Sequence, residues 1–444
     1  MKDGQPVEIR VRISRHGPLI SDAMPELQAR LPKNVALALR WTALDPDDTS
    51  AAIGLGFWRA HDFASFQAAL HRFVVPEQNM VYADREGHIG YYAPARVPIR
   101  SPANDTHGLI PAPGWKPGYD WQGFIPYDAL PTRFDPPEGF IATANEKVVG
   151  PDYPYFLTSE WALPYRGERI RTLLAASDRH DRDSMARIQA DVRSTIADDL
   201  LPLFLKNLKP DAHPEVAAAL KAWDREMRVE APEPLIFTAW HRAIGRRLYA
   251  DELGDRFPRY EGAKIEFLKL VLSGAPGYGA WCDDVTTADR SEGCDEIVTA
   301  ALDDALALLG KRLGGDWRSW RYGRLHRVVQ EHRPFSQVPV LKDIFELSGP
   351  NDGGIMTVDV APASFGDEDL FQQYHGPSYR AIYDLADPDR SLYMIPTGQS
   401  GNPLSRHYRD LFPLWRENRY IEVPAVPKPE DVTGTLVLRP VTEN

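Results

Sequence analysis

Most side chains in this chain that could carry chemistry fall in patterns the corresponding chemistry does not accept. The run GQSGN at 398–402 puts Asn402 where a G-x-S-x-G nucleophile elbow needs glycine, which makes Ser400 a poor nucleophile. His326 and His332, in HRVVQEH, are six residues apart, and no H-E-x-x-H motif occurs, so they read as core or surface histidines rather than metal ligands. Asp283–Asp284 and Asp303–Asp304 are paired in sequence, but they read as solvated faces rather than the opposed acid and base of a glycosidase. Gly54 and Gly56, in GLGFW, lack the third glycine and the βαβ setting of a dinucleotide site. The 11 Trp and 18 Tyr offer a sugar-stacking platform, although framework packing is the better reading. Two cysteines, Cys282 and Cys294, exclude a disulfide scaffold and a four-cysteine zinc site. They flank the polar loop WCDDVTTADRSEGC, for which one bridge and two free thiols both stay open, the bridge being favoured if the protein is exported.

The elements that must position any site come from a chain of 444 residues, long enough for one large domain or two to three ordinary ones. With 51 Lys+Arg against 63 Asp+Glu, the net charge of −12 argues against nucleic acid or an anionic membrane as the main partner. No apolar run approaches a transmembrane span, and MKDGQPVEIR has no apolar h-region of a signal peptide. Proline, at 39 residues, is roughly twice its usual share and scattered without period, which points to a turn-rich globular protein.

Periodicity predicts strands first, then helices, then strands again. Val7, Ile9, Val11 and Ile13 alternate with polar residues, and Val35, Leu37, Leu39 and Trp41 repeat that pattern. A short helix follows, with Asp62 as cap and Phe63, Phe66, Leu70 and Phe73 on one face. NMVYADREGHIGYYA predicts a hairpin, the stretch 94–137 an ordered loop packed on aromatics, and GFIATA (139–144) a strand ending at Asn145. From about residue 167 the spacing becomes helical, over 183–208, 214–229, 234–249 and 296–313. Strands return at 355–360, in the hairpin 379–385/391–395 around ADPD, and at 435–438. The fold class is therefore α+β, layered, with a helical insertion.

GFIATANEKVVGPDYPYFLTSEWALPYRGERI (139–170), taken with RHGPLISD (15–22), ALRWTALDPDD (38–48), NMVYADREGHIGYYAPARVPIR (79–100) and WQGFIP (121–126), resembles the penicillin acylase (penicillin amidase) family. DWRSWRYGRLH (316–326) and the run 376–415 are similarly family-like, so the resemblance covers essentially the whole chain in order, as most of the β subunit. It implies an N-terminal-nucleophile hydrolase with a four-layer αββα sandwich, here incomplete. Residues 1–166 would be sandwich strands and loops, 167–349 the mainly helical insertion, and 350–444 the C-terminal sandwich strands.

The implied activity is hydrolysis of a small N-acyl amide, such as a β-lactam or an N-acyl-homoserine lactone. A Ser at the processed N-terminus of the β subunit attacks the amide, with its own α-amino group as base. Asn145, in TANEKV, matches the side chain that helps hold the oxyanion; outside the motif it would read as an Asx-turn residue. Arg166, in LPYRGERI, matches an arginine positioning the nucleophile and that Asn; otherwise it reads as an exposed helix-start residue. TANE stands where the family has TANN, so Glu146 either tunes the site or points to solvent.

No Ser of this chain matches the nucleophile, and the resemblance starts inside the β subunit. The expected partner is therefore the missing upstream or α-subunit segment of the same enzyme, without which the chain is expected to be inactive and aggregation-prone. No cofactor is expected for catalysis; a structural calcium occurs in the family, but no ligands are assignable here and no metal residue is named. Periplasmic or secreted localisation is typical of the family. The alternatives are a truncated, inactive relative with a binding or structural role, and, further behind, a carbohydrate-active protein.

Overall fold

The computed structural model describes residues 4–5, 8–262 and 264–440, and these divide into two units, Met1–Pro164 and Tyr165–Asn444.

In the first unit, β1 (Ile13–Ser14) and β2 (Gly17–Pro18) form a minimal antiparallel hairpin. Gly17 is required there: its φ is +112°, and a Cβ would lie 2.2 Å from the Leu39 carbonyl oxygen. Among the described residues, 8–12 of the predicted strand from Val7 to Ile13 have no regular structure. Val7 lies outside the described residues, and Ile9, Val11 and Ile13 are 77%, 63% and 73% exposed, so their apolar face has no cover in this unit. The second predicted strand, Val35–Trp41, makes a single bridge, Leu19 to Ala38, with Leu37 O and Leu39 N bonded at 2.9 Å on either side.

After α1 (Pro25–Gln28) and α2 (Ile53–Phe57), α3 (Phe63–Leu70) starts at the predicted cap. The Asp62 carboxylate accepts the Ser65 N–H at 2.7 Å, and the Ser65 hydroxyl answers the Asp62 N–H at 3.1 Å. β3 (Met80–Ala83) and β4 (Ile89–Tyr92) form the predicted hairpin. β5 (Pro98–Arg100) pairs with β6 (Trp121–Phe124), and β7 (Thr132–Phe134) extends the hairpin to the order β3-β4-β7. The predicted loop 94–137 thus contains three short strands. Phe63 presses on this sheet where Gly90 leaves room, since a Cβ there would come within 2.3 Å of its ring. Leu70, Phe73, Tyr92, Ile125 and Leu130 form the unit's core.

The second unit begins with α4 (Tyr165–Ala175), α5 (Arg182–Gln189) and α6 (Thr195–Lys206). The predicted single helix 183–208 is therefore two, because Ser194 re-caps the chain by accepting the Ala197 N–H and Arg193 bridges to Glu226. α7 (Pro214–Ala222) leads to α8 (Glu233–Leu253), which is buried continuously from Pro234 to Gly245 and so is central rather than amphipathic. α9 (Ile265–Ser273) and α10 (Cys294–Leu313) flank it, and Trp240 donates its indole N–H to Val298 O at 2.9 Å. Cys282 and Cys294 are bonded, which closes the polar loop onto the first turn of α10.

β8 (Arg327–Gln330), α11 (Pro339–Phe345) and β9 (Leu347–Pro350) follow, with β8 and β9 antiparallel. β10 (Arg380–Ile382) and β11 (Leu392–Met394) are the predicted hairpin, and after α12 (Leu411–Arg416), β12 (Ile421–Glu422) completes the order β10-β11-β12. The predicted strand 355–360 is instead a closed turn: Thr357 Oγ1 accepts the Gly354 N–H at 2.9 Å and donates to Asp359 O at 2.6 Å. The strand predicted at 435–438 is also absent, with Leu436 and Leu438 84% and 85% exposed. Helices and antiparallel sheets together make the chain α+β.

Candidate active site

Asn145 sits on a bend, not at the end of a strand: residues 139–144 have no regular structure. Its φ of +70° lies in the left-handed region, where Asn is the best tolerated residue after glycine. Two backbone pins hold that bend. Ala162 N–H donates to Asn145 O at 3.0 Å, and the Ala144 N–H donates to the Glu146 carboxylate at 2.6 Å. Glu146 is only 7% exposed while Asn145 is exposed, so the solvent reading of Glu146 is corrected. Its carboxylate reaches back two residues and clamps the turn, because a buried N–H must find an acceptor. Downstream, Tyr155 and Leu157 pack on the core, and Tyr153 donates to Ala129 O at 2.8 Å. The result is a fixed, outward-facing bend carrying a neutral amide, a group able to donate to a developing oxyanion.

Arg166 is the second residue of α4, in the other unit, and is half-buried rather than exposed. The helix start is tied down on both sides of it. Tyr165 donates its hydroxyl to Asp199 at 2.8 Å, and Lys269 Nζ donates to the same carboxylate at 2.8 Å. Burial, then the Asp199 hydrogen bond, pushes the Tyr165 hydroxyl up; the Asp199 hydrogen bond holds Lys269 charged well above its usual range. Burial works against Asp199 ionising, but Lys269 and Tyr165 outweigh it and its carboxyl sits lower than usual.

One turn on, Arg169 grips Asp191 with two bonds of 3.0 and 2.6 Å. Asp191 O accepts the Asp359 N–H at 3.0 Å, and Asp359 pairs with Arg380 at 2.6 Å, both side chains under 5% exposed. Arg380 also donates to Trp415 O at 2.9 Å. α4 is therefore wired through buried polar contacts to the C-terminal strands. Sequence reading missed this relay, and the only signal was several charged residues inside otherwise apolar surroundings.

The residues set aside on spacing are committed elsewhere. Ser400 Oγ accepts the Asn402 N–H at 3.1 Å in a local turn. His326 is a core residue bonded to Phe371 O at 3.0 Å, and the His332 ring stacks on Phe335. Asp303 meets His213 and Asp304 meets Arg247, each at 2.6 Å, while Asp283 and Asp284 cap the disulfide loop. Among the described residues, no group of three or more His, Cys, Asp or Glu could hold a metal ion. Nor is any described helix long and apolar enough to cross a membrane.

The sequence matches the family described as Penicillin amidase over residues 1–429. The chain belongs to the penicillin amidase family. Members similar to it include acyl-homoserine lactone acylase QuiP of Pseudomonas aeruginosa, 28% identical over 96% of this chain and 54% of that protein. Penicillin acylase 2 proenzyme of Pseudomonas sp. (strain SE83) is 29% identical over 94% of this chain and 52% of its own length. The chain thus spans about half the length of these relatives. Among solved structures, thermostable penicillin G acylase from Alcaligenes faecalis superposes with a TM-score of 0.71 at 18% identity, covering 99% of this chain and 80% of that one. The fold is accordingly the N-terminal-nucleophile hydrolase fold of penicillin acylases, as the resemblance implied. Penicillin amidase family members of these names are acylases that hydrolyse amides.

Proposed function

We propose that this chain is the scaffold and oxyanion-binding part of a penicillin acylase-like amide hydrolase that cleaves small N-acylated amines, β-lactams or N-acyl-homoserine lactones among them. The observation that carries the reading is the Asn145 bend: an exposed neutral amide on a left-handed turn pinned by Glu146 and Ala162. In this reading a Ser hydroxyl, supplied by sequence outside residues 1–444, attacks the carbonyl carbon while its α-amino group takes the proton. The Asn145 amide donates to the oxygen as negative charge develops there, and collapse expels the amine, which takes the proton back. Water then releases the acid by the same steps. Arg166 acts as a fixed cation that positions the nucleophile.

The Cys282–Cys294 bond supports a periplasmic or secreted location, since such bonds persist in oxidising compartments. The upstream or α-subunit segment is the proposed partner, and no cofactor takes part in the steps above.

The test is acid-quenched mass spectrometry of the full-length protein with penicillin G and with an N-acyl-homoserine lactone. The expected result is a mass increase equal to one acyl group on a processed N-terminal Ser. No adduct with any N-acyl amide, together with no release of amine, would sink the reading.

A further inference from the structure

Asn145 stands between two buried residues, Ala144 and Glu146, that are bonded to each other across it. The Glu146 carboxylate turns back over the bend and accepts the Ala144 N–H at 2.6 Å, so backbone and side chain close a ring with residue 145 inside it. Both soft torsions of Asn145 belong to that ring. The second backbone pin, Ala162 N–H to Asn145 O, grips only the peptide that follows.

Asn145 needs such a restraint. Its φ is +70°, and a residue with a Cβ released from a left-handed turn relaxes to the cheaper negative-φ regions. Reaching the helical value near −60° is a rotation of roughly 130° about N–Cα, which swings the Cα–Cβ bond and carries the carboxamide to another side of the chain. An amide that must meet an oxyanion at about 2.7–3.1 Å tolerates little of that drift.

The clamp has a firm footing. Tyr91 of β4 is paired with Arg133 of β7 and donates its hydroxyl to Asn79. Burial first, then Glu77, and last the nearby Glu146 push that hydroxyl up, with Arg133 opposing them. Glu146 therefore lies within electrostatic reach of the middle strand of the sheet, while Asn145 faces outward.

We propose, on the oxyanion reading of Asn145 given above, that Glu146 is a positioning residue for amide hydrolysis: it holds the left-handed bend that aims the Asn145 carboxamide, and it neither touches substrate nor moves a proton.

The experiment is steady-state hydrolysis of penicillin G and of an N-acyl-homoserine lactone by the full-length protein. Its variants are Glu146→Ala, Glu146→Asp, Glu146→Gln, Asn145→Gly and the double variant Asn145→Gly/Glu146→Ala. Glu146→Ala should lower kcat about tenfold, the worth of one hydrogen bond at a buried N–H, with KM little changed. Glu146→Asp keeps the carboxyl but is one methylene shorter, and should fall as far; should Glu146→Ala fail to fold, it carries the same test. Glu146→Gln keeps the length and an acceptor oxygen, and should retain most of the parent rate. On Asn145→Gly, where no amide is left to aim, Glu146→Ala should cost nothing further.

A parent-like kcat in Glu146→Ala and Glu146→Asp, a loss that Glu146→Gln shares, or the same loss repeated on Asn145→Gly would overturn the proposal. The two levels fail separately. A slow Asn145→Gly beside a parent-like Glu146→Ala removes the positioning role alone. A parent that hydrolyses neither substrate, or an Asn145→Gly at the parent rate, removes the oxyanion reading and the role of Glu146 with it.

Discussion

The two candidate residues are held by different physics. In the first unit, Asn145 lies on a loop whose order comes from individual polar pins: Glu146 to the Ala144 amide, Ala162 to the Asn145 carbonyl, and Tyr153 to Ala129. Its sheets have two or three short strands, and large side chains such as Trp58 and Trp115 are 85% and 73% exposed. In the second unit, Arg166 rides on a helix joined by a partly buried ion pair, Arg169–Asp191, and a buried one, Asp359–Arg380, to a core in which α8 is central. A bend pinned by hydrogen bonds to buried backbone groups can place one amide accurately. A packed helical core instead spreads the load over many contacts.

The largest effect should come from breaking that core. Trp240→Ala removes a fully buried ring and its hydrogen bond to Val298, and it should lower unfolding stability by about 3–5 kcal/mol in urea titrations. A cost under ~1 kcal/mol would mean that α8 is not the centre of the unit.

Acid should single out the same core. Burial pushes both His241 and His326 from 6.5 down to about 4. The unfolded chain, with ordinary histidines, therefore binds more protons between those values, so this support is present above pH ~6.5 and is lost as pH falls through about 4. At ~1.4 kcal/mol per pKa unit, each histidine carries a few kcal/mol at most. The expected outcome is a steep fall in stability from pH 7 to 4, shallower in His241→Gln. Identical slopes for the two proteins would contradict the burial of His241. Among the described residues, no histidine of the first unit is buried, so its pins should not share this dependence.

Glu146→Ala leaves the buried Ala144 N–H without its carboxylate, at a cost of about 1–2 kcal/mol. Faster hydrogen exchange at Ala144 is expected, with Glu146→Gln restoring protection because its amide oxygen still accepts. Unchanged exchange in Glu146→Ala would show that the clamp is not what fixes the bend. Asp62→Ala should have the smallest effect, a slight fall in melting temperature from loss of the α3 cap, and no fall at all would mean that the cap does not hold the helix start.

The same contrast explains what was legible in the sequence. Helices declare themselves through three- and four-residue spacing and through caps that act locally, so α7, α8, α10 and the Asp62 cap were readable, with errors only at their ends. Alternation was less informative, because a strand needs a partner that sequence does not identify. Val35–Trp41 and 435–438 have the pattern but no ladder, and 355–360 is overruled by Thr357 stapling its own turn. At the candidate site, the motif around Asn145 was legible by resemblance, while the positive φ and the inward turn of Glu146 were not. Both depend on where a buried amide finds its acceptor.

The central claim, that the Asn145 amide holds the oxyanion, is tested most directly by Asn145→Gly in the full-length protein. Glycine adopts φ of +70° without strain, so this substitution deletes the amide and spares the bend, which Asn145→Ala would not. The account predicts a drop in kcat for N-acyl amide hydrolysis of about 10²–10³, with KM changed little and the fold intact. A Gly variant hydrolysing amides at the parent rate would contradict it.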